Sequence, residues 1–178
     1  MRVVAGEFRG RKLVAPETDK TRPTTRPTTD KVREAVFNAL TSLDLLVDAT
    51  VADLYAGSGA LGIEALSRGA AHCTFVEKDR AALSAIHANI GALGVTGRTR
   101  VVSGDALVMS KGLHVDVAFA DPPYGFDDWP ALLAAVAADF VVAESAAEVA
   151  APDGWEQTRV KRYGRTWVSF LDRRPAAG

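Results

Sequence analysis

The tightest local constraint in the chain is the apolar run Val115-Asp116-Val117-Ala118-Phe119-Ala120 ending abruptly in Asp121-Pro122-Pro123-Tyr124. A short apolar stretch of this character reads as a buried strand, and paired prolines stop it. Neither proline offers a backbone N–H and each fixes its own φ, so the chain leaves the sheet in one rigid direction. That geometry sets the Asp121 carboxylate, the Pro122 carbonyl and the Tyr124 ring around one small space at a strand's C-terminal end. Open α/β sheets bind ligands at such ends. Two acceptors beside an aromatic face suit a flat heterocycle with an exocyclic amine: the acceptors take its N–H groups and the ring stacks. The alternative is a strand running into a Pro-rich turn, with Tyr124 as ordinary packing.

A second constraint lies upstream. Val51-Ala52-Asp53-Leu54-Tyr55 reads as a strand, Ala56-Gly57-Ser58-Gly59-Ala60-Leu61-Gly62 as a turn, and the residues to about Arg68 as a helix. Gly57, Gly59 and Gly62 form G-x-G-x-x-G in the strand-to-helix context that gives the pattern meaning. Two cofactor classes compete for such a loop. A nicotinamide dinucleotide would seat its pyrophosphate there, whereas S-adenosylmethionine carries no phosphate and brings an ammonium group. Asp53 at the strand end would repel a pyrophosphate and favours the second class, unless its carboxylate only orients loop amides. The next strand, about Cys73 to Val76, ends in Glu77, an acceptor for a ribose hydroxyl pair. A third, about Arg100 to Val102, leads to Asp105-Ala106. Asp105 either accepts an adenine amine, with the Ala106 N–H facing a ring nitrogen, or simply caps a helix. Between these strands, Leu83, Ile86, Ile90 and Leu93 give a helix over about Arg80 to Leu93 its apolar stripe.

Charge separates the ends from the middle. Residues 1–33 hold nine Lys and Arg against four acids and residues 155–178 hold six against two, leaving six against sixteen in between. Basic ends around an acidic body suggest a shared face for phosphates; two solvated surface hairpins are the plainer reading. Residues 2–14 suggest a small β-hairpin around Gly6 to Gly10 that packs on the main domain or awaits a partner. The tandem repeat Arg22-Pro23-Thr24-Thr25, Arg26-Pro27-Thr28-Thr29 is held extended by its prolines and presents arginines and hydroxyls suited to phosphate oxygens. Thr29 or Asp30 then caps a helix over about 31–43, striped by Val32, Val36, Leu40 and Leu43, with Arg33 one turn in.

After the Pro-Pro segment come a helix around Trp129 to Ala137 and a strand at Phe140-Val141-Val142-Ala143-Glu144. Two further strands, about Glu156 to Lys161 and Thr166 to Leu171, meet at a turn at Tyr163-Gly164. With no helix between them they pair antiparallel. Strand–helix alternation closing in a hairpin is one doubly wound domain. Trp129, Trp155 and Trp167 read as core or edge packing. The single Cys73 and three scattered His argue against a disulfide or a catalytic zinc, and no apolar stretch reaches about 20 residues. A cytoplasmic enzyme or binding protein, working as a monomer, is the expectation.

Asp53-Leu-Tyr-Ala-Gly-Ser-Gly59, Asp121-Pro-Pro-Tyr124 and Arg26-Pro-Thr-Thr-Asp-Lys-Val-Arg-Glu-Ala-Val-Phe-Asn38 together resemble the RsmD family of 16S ribosomal RNA guanine-N2 methyltransferases. The resemblance extends from Gly6-Glu-Phe-Arg-Gly-Arg-Lys-Leu13 to Arg162-Tyr-Gly-Arg-Thr166. The glycine loop and Pro-Pro motif occur in many methyltransferases, whereas Arg-Pro-Thr-Thr-Asp is more particular. Here that unit is doubled, and Arg165 stands where an acid is often found.

The resemblance implies a Rossmann-like class I fold: a seven-stranded, mostly parallel sheet with an antiparallel C-terminal hairpin. Residues 1–29 form an RNA-contacting extension, and 30–178 form the methyltransferase domain. It implies methyl transfer from S-adenosylmethionine to the N2 of a flipped-out guanine in the small ribosomal subunit. Asp121, Pro122, Pro123 and Tyr124 are the expected catalytic residues. Asp53, Tyr55, Ala56, Gly57, Ser58, Gly59, Glu77, Lys78, Asp105, Ala106 and Asp121 are expected at the cofactor. RNA contacts are expected from Arg9, Arg11, Arg22, Arg26, Thr28, Arg33, Arg162 and Arg165, with no metal. Rival readings are an adenine-N6 DNA or RNA methyltransferase, a nicotinamide dehydrogenase, and a non-catalytic RNA-binding assembly factor.

Overall fold

Apolar strands interleaved with amphipathic helices assemble, in a computed structural model describing residues 1–17 and 30–174, into one seven-stranded sheet covered on both faces. The elements in chain order are α1 (Asp30–Ser42), β1 (Thr50–Leu54), α2 (Ala60–Ser67), β2 (His72–Glu77), α3 (Arg80–Leu93), β3 (Thr99–Ser103), α4 (Ala106–Met109), β4 (His114–Ala120), α5 (Trp129–Ala135), β5 (Ala137–Ser145), β6 (Trp155–Tyr163) and β7 (Thr166–Arg173). A 3-10 turn, Thr96–Arg98, precedes β3.

The strand order is β3-β2-β1-β4-β5-β7-β6. The first five strands are parallel; β7 runs antiparallel between β5 and β6. The chain therefore winds outward from β1 in one direction, then returns to add β4 on its other side. The C-terminal ends of β1 and β4 flank that switch point, the crevice in which doubly wound folds bind ligands. Leu54 pairs with Val76 on β2 and with Ala120 on β4, so Tyr55, Lys78 and Asp121 leave the sheet at one end.

Two core layers follow from the strand pleat. Val51, Phe75, Val117, Phe119, Val142 and Phe170 pack beneath α1, α2 and α3, whereas Leu54, Val76, Ala118, Val141 and Leu171 pack against α5. Gly62, the third glycine of the loop motif, sits inside α2 against β2. A Cβ there would stand 2.4 Å from both Cys73 Sγ and Phe75 Cε1, so only glycine lets this helix lie so close to the sheet.

The N-terminal segment folds onto the body. It closes through a single antiparallel bridge between Arg2 and Lys12, so the expected two-stranded hairpin is reduced to that bridge. Val3, Phe8 and Leu13 are buried in the α1–α3 core layer. Glu7 N and Phe8 N donate to Ser67 O and Oγ (2.8 and 2.9 Å), while Val4 N and Ala5 N donate to the Glu64 carboxylate (2.8 and 3.0 Å). Fourteen residues cannot enclose a core, so their backbone groups and apolar side chains are satisfied on α1, α2 and α3 instead.

Boundaries moved by small amounts. Leu43 falls beyond α1 and is 53% exposed, while Phe37 takes the inner position. The β6–β7 turn is Gly164-Arg165, because Tyr163 still pairs with Thr166. A one-turn helix, α4, follows Asp105. Thr29, a possible cap of α1, lies outside the described residues.

Candidate active site at the switch point

The glycine loop is held by acids. Gly57 N donates to Glu77 Oε2 (2.8 Å), and Gly62 N to Asp53 Oδ2 (2.9 Å). Glu77 Oε1 also accepts from Lys78 N and Asp79 N (2.8 and 2.9 Å). Loop amides that a dinucleotide's pyrophosphate would need are thus partly spent on carboxylates, which also repel phosphate. Gly57 adopts φ 57°, and an added Cβ would meet nothing within 4 Å, leaving open space beside the loop. A phosphate-free nucleoside ligand fits this donor set better than a dinucleotide.

Asp53 is 1% exposed. Burial pushes its carboxyl well above the usual range, opposed by the Gly62 hydrogen bond and assisted by the nearby charges of Asp121 and Glu77. The expectation of a direct ligand contact gives way to the other role weighed for it: Asp53 orients the loop from inside the fold. Cys73, buried beneath Gly62, likewise has its thiol pushed up by burial, so it is core rather than nucleophile.

At the end of β3, Asp105 does cap α4, accepting from Leu107 N at 3.0 Å. Its second oxygen meets Lys78 Nζ at 3.1 Å, and this hydrogen bond is the main reason its carboxyl is held below the usual range. The Asp105 side chain is 45% exposed. Ala106, the first residue of α4, is buried.

Tyr55 occupies the left-handed region at φ 62°, an uncommon conformation for an aromatic residue and one that recurs at functional sites. Its ring meets Phe126 edge-on at 5.7 Å, and Phe126 meets Trp129 at 5.1 Å. Burial, with the charges of Asp105 and Asp128, pushes the Tyr55 phenol to about 12. The three rings tie the end of β1 to the loop after β4. Neither Phe126 nor the part played by Trp129 was legible from spacing.

In that loop, Phe126 N donates to Pro123 O (3.2 Å) across a turn whose third residue, Gly125, has φ 86°. A type II turn demands such a conformation there. Tyr124 stands at the turn's outer corner, 73% exposed, beside the partly buried Asp121 and Pro122. A large aromatic left in water at the mouth of a crevice is available for stacking.

The expected RNA contacts separate into three groups. Arg9, Arg11, Arg162 and Arg165 are exposed. Arg11 also bonds Ala92 O (2.7 Å), and Arg162 lies 5.5 Å over the Trp167 ring. Trp167 pairs with Ser145 at the C-terminal end of β5, which sets the β6–β7 turn at the same sheet end as Asp121. Arg22, Arg26 and Thr28 lie outside the described residues. Arg33 is a correction. It is fully buried, its Nη2 bonding Arg2 O and Asp30 Oδ1 and its Nε lying 3.6 Å from Glu64 Oε2, so no surface is left for RNA. Glu64, with no exposure, also pairs with Arg68 at 2.9 Å. This buried network was missed; the signal available was one acid in the otherwise apolar stretch Ala-Leu-Gly-Ile-Glu-Ala-Leu.

Among the described residues no group of three or more His, Cys, Asp or Glu is placed to hold a metal, and no helix is long and apolar enough to cross a membrane. The family model described as conserved hypothetical protein 95 matches residues 1–172. The ribosomal RNA small subunit methyltransferase D of Escherichia coli is 44% identical over 126 residues, covering 70% of this chain and 60% of that protein. The chain belongs to the RsmD family. Bacillus subtilis YlbH is 36% identical across 98% of this chain and 100% of its own length. The solved structure of Escherichia coli yhhF superposes with a TM-score of 0.83 at 36% identity, covering 97% of each chain. RsmD-family membership and this superposition fix the fold as the methyltransferase type expected above. The chain spans less than two thirds of the length of the Escherichia coli relative it matches.

Proposed function

We propose that this RsmD-family chain transfers a methyl group from S-adenosylmethionine to the exocyclic N2 of a guanine in 16S rRNA of the small ribosomal subunit. The observation that carries the reading is the convergence, at one end of the sheet, of a glycine loop held by Asp53 and Glu77, the further carboxylate of Asp105 and an Asp-Pro-Pro-Tyr turn. The relative from Escherichia coli, whose name specifies small-subunit rRNA, supports the choice of substrate.

Glu77 and Asp105 would hold the cofactor's ribose and adenine, with Gly57 and Gly59 letting it approach the backbone and Tyr55, Ala56, Ser58, Lys78 and Ala106 lining the space. When bound, S-adenosylmethionine supplies an activated methyl on a sulfonium. The remaining work is positional. A guanine amine is a weak nucleophile because its lone pair is delocalised into the ring. Asp121 and the Pro122 carbonyl would accept hydrogen bonds from its two N–H groups, favouring a pyramidal nitrogen; Asp121 would take the proton that the nitrogen must shed on gaining the methyl, and Tyr124 would stack on the flipped base. Pro123 fixes the turn. Orientation of this kind is worth about 7–11 kcal/mol in good geometries. Arg9, Arg11, Arg162 and Arg165 meet phosphates, which place the RNA without reading its sequence. The proposed substrate, small-subunit rRNA, places its action in the cytoplasm, and every residue named for the reaction lies in one chain, so a monomer would suffice.

The test uses methyl-labelled S-adenosylmethionine with undermethylated small subunits, naked 16S rRNA and duplex DNA, each digested to nucleosides. Label in N2-methylguanosine, mainly from subunits, is expected. Label in N6-methyladenine would transfer the case to an adenine enzyme, and cofactor binding with no label would leave a non-catalytic binding factor. Asp121→Ala is expected to abolish transfer while leaving cofactor affinity largely intact; near-normal turnover would remove Asp121 from its role.

A further inference from the structure

Asn89 is a polar residue on the inner face of α3, between Ile86 and Ile90, and is 1% exposed. Burying an amide is costly unless its hydrogen bonds are made. Here they are made to two segments remote in sequence. Nδ2 donates to Ser58 O in the glycine loop (2.9 Å) and to Val14 O (3.0 Å), while Oδ1 accepts from Val14 N (2.7 Å). One side chain thus joins the loop at the switch point to the end of the N-terminal segment that carries exposed Arg9, Arg11 and Lys12.

We propose that Asn89 is a positioning residue coupling occupancy of the glycine loop to the placement of the basic N-terminal segment. The inference rests on the functional reading above for the identity of the loop's ligand. Its physical basis is the asymmetry of the amide. Turned by half a rotation, Oδ1 would face the carbonyls of Ser58 and Val14, and the NH2 group would face the Val14 N–H. The side chain therefore has one satisfied orientation, and any displacement of Ser58 by a ligand is passed to Val14 as a lost or tightened bond. Of the segment's other anchors, Glu64 and Ser67 are on α2, which itself begins at the loop, Arg33 on α1 holds Arg2 O, and Arg11 bonds Ala92 O at the end of α3, so Asn89 works within an already buried frame.

The experiment is hydrogen exchange on the full chain with and without saturating S-adenosylhomocysteine, saturation being established separately by calorimetry. In the parent protein the ligand is expected to slow exchange of the Val3, Phe8, Leu13 and Val14 amides by at least ~5-fold, the lower end of ordinary coupling between sites. Asn89→Asp keeps the shape and the acceptor for Val14 N but opposes two carbonyls with an anion; the slowing is expected to vanish there although the ligand still binds. Val14→Pro breaks the link from the segment's side, because it removes the amide hydrogen that Asn89 accepts and sets the ring Cδ against Oδ1; it is expected to retain cofactor affinity and lose the slowing at Val3 and Phe8. Loss of folding in the first variant leaves the second to decide. Ligand binding that leaves the N-terminal amides unaltered in the parent protein, or slowing that survives in Val14→Pro, overturns the inference while sparing the functional reading. Failure of S-adenosylhomocysteine to bind at all overturns both.

Discussion

Glu64→Gln isolates the charge of the buried acid from its shape. Glu64 is fully buried, accepts from the amides of Val4 and Ala5, pairs with Arg68 at 2.9 Å and lies 3.6 Å from Arg33 Nε. Gln replaces one accepting oxygen with a donating NH2 that faces donors. Among the described residues it also leaves Arg33, whose Nε and Nη1 have no hydrogen-bond partner there, with the exposed Asp30 as its remaining counter-charge. Removing one member of a buried ion pair costs about 3–5 kcal/mol, because the remaining charge is left uncompensated. In a domain of 150–250 residues each kcal/mol lowers Tm by roughly 2–4 °C, so a fall of about 6–20 °C is expected. Thermal unfolding followed by circular dichroism reads the shift, and amide exchange at Val4 and Ala5 shows whether the N-terminal segment has come loose. A fall below about 3 °C with those amides still protected would refute the reasoning, since it would mean that Arg33 and Arg68 need no buried counter-charge.

Two further outcomes follow from the loop. Gly62→Ala gains helix propensity but places a methyl 2.4 Å from Cys73 Sγ and the rigid Phe75 ring. Overpacking of this kind costs about 1–3 kcal/mol, so a Tm lower by roughly 2–12 °C is expected, and a stability equal to the parent's would show that the helix can slide off the sheet freely. Asp53→Asn tests the raised carboxyl. A folded-state value above the unfolded one means that the contribution to stability is complete below the unfolded value and is lost as pH rises through the folded one. Asn keeps an acceptor for Gly62 N without the charge, so its stability relative to the parent should improve steadily from pH 4 upward. A difference in Tm that does not change with pH would contradict the assignment.

What the sequence determined by itself is the order and type of the seven sheet strands and the longer helices. β-branched runs halted by Asp-Pro-Pro, by a glycine turn and by acids at strand ends are local signals, and local sterics and backbone hydrogen bonding decide them. The apolar stripe of α3 and the six-residue β2 were legible for the same reason, to within a residue or so. Partners were not legible, because charge counted along the chain does not say which face a side chain presents. Arg33 looked like its basic neighbours and is wholly buried against Glu64, while Asp53 spends its carboxylate on Gly62 rather than on the crevice. Asn89 and Glu64 carry no local signal of their roles; each satisfies the backbone of a segment 59 to 75 residues away. Desolvation makes such groups costly unless they are paired, and only tertiary packing brings the pairing groups within reach.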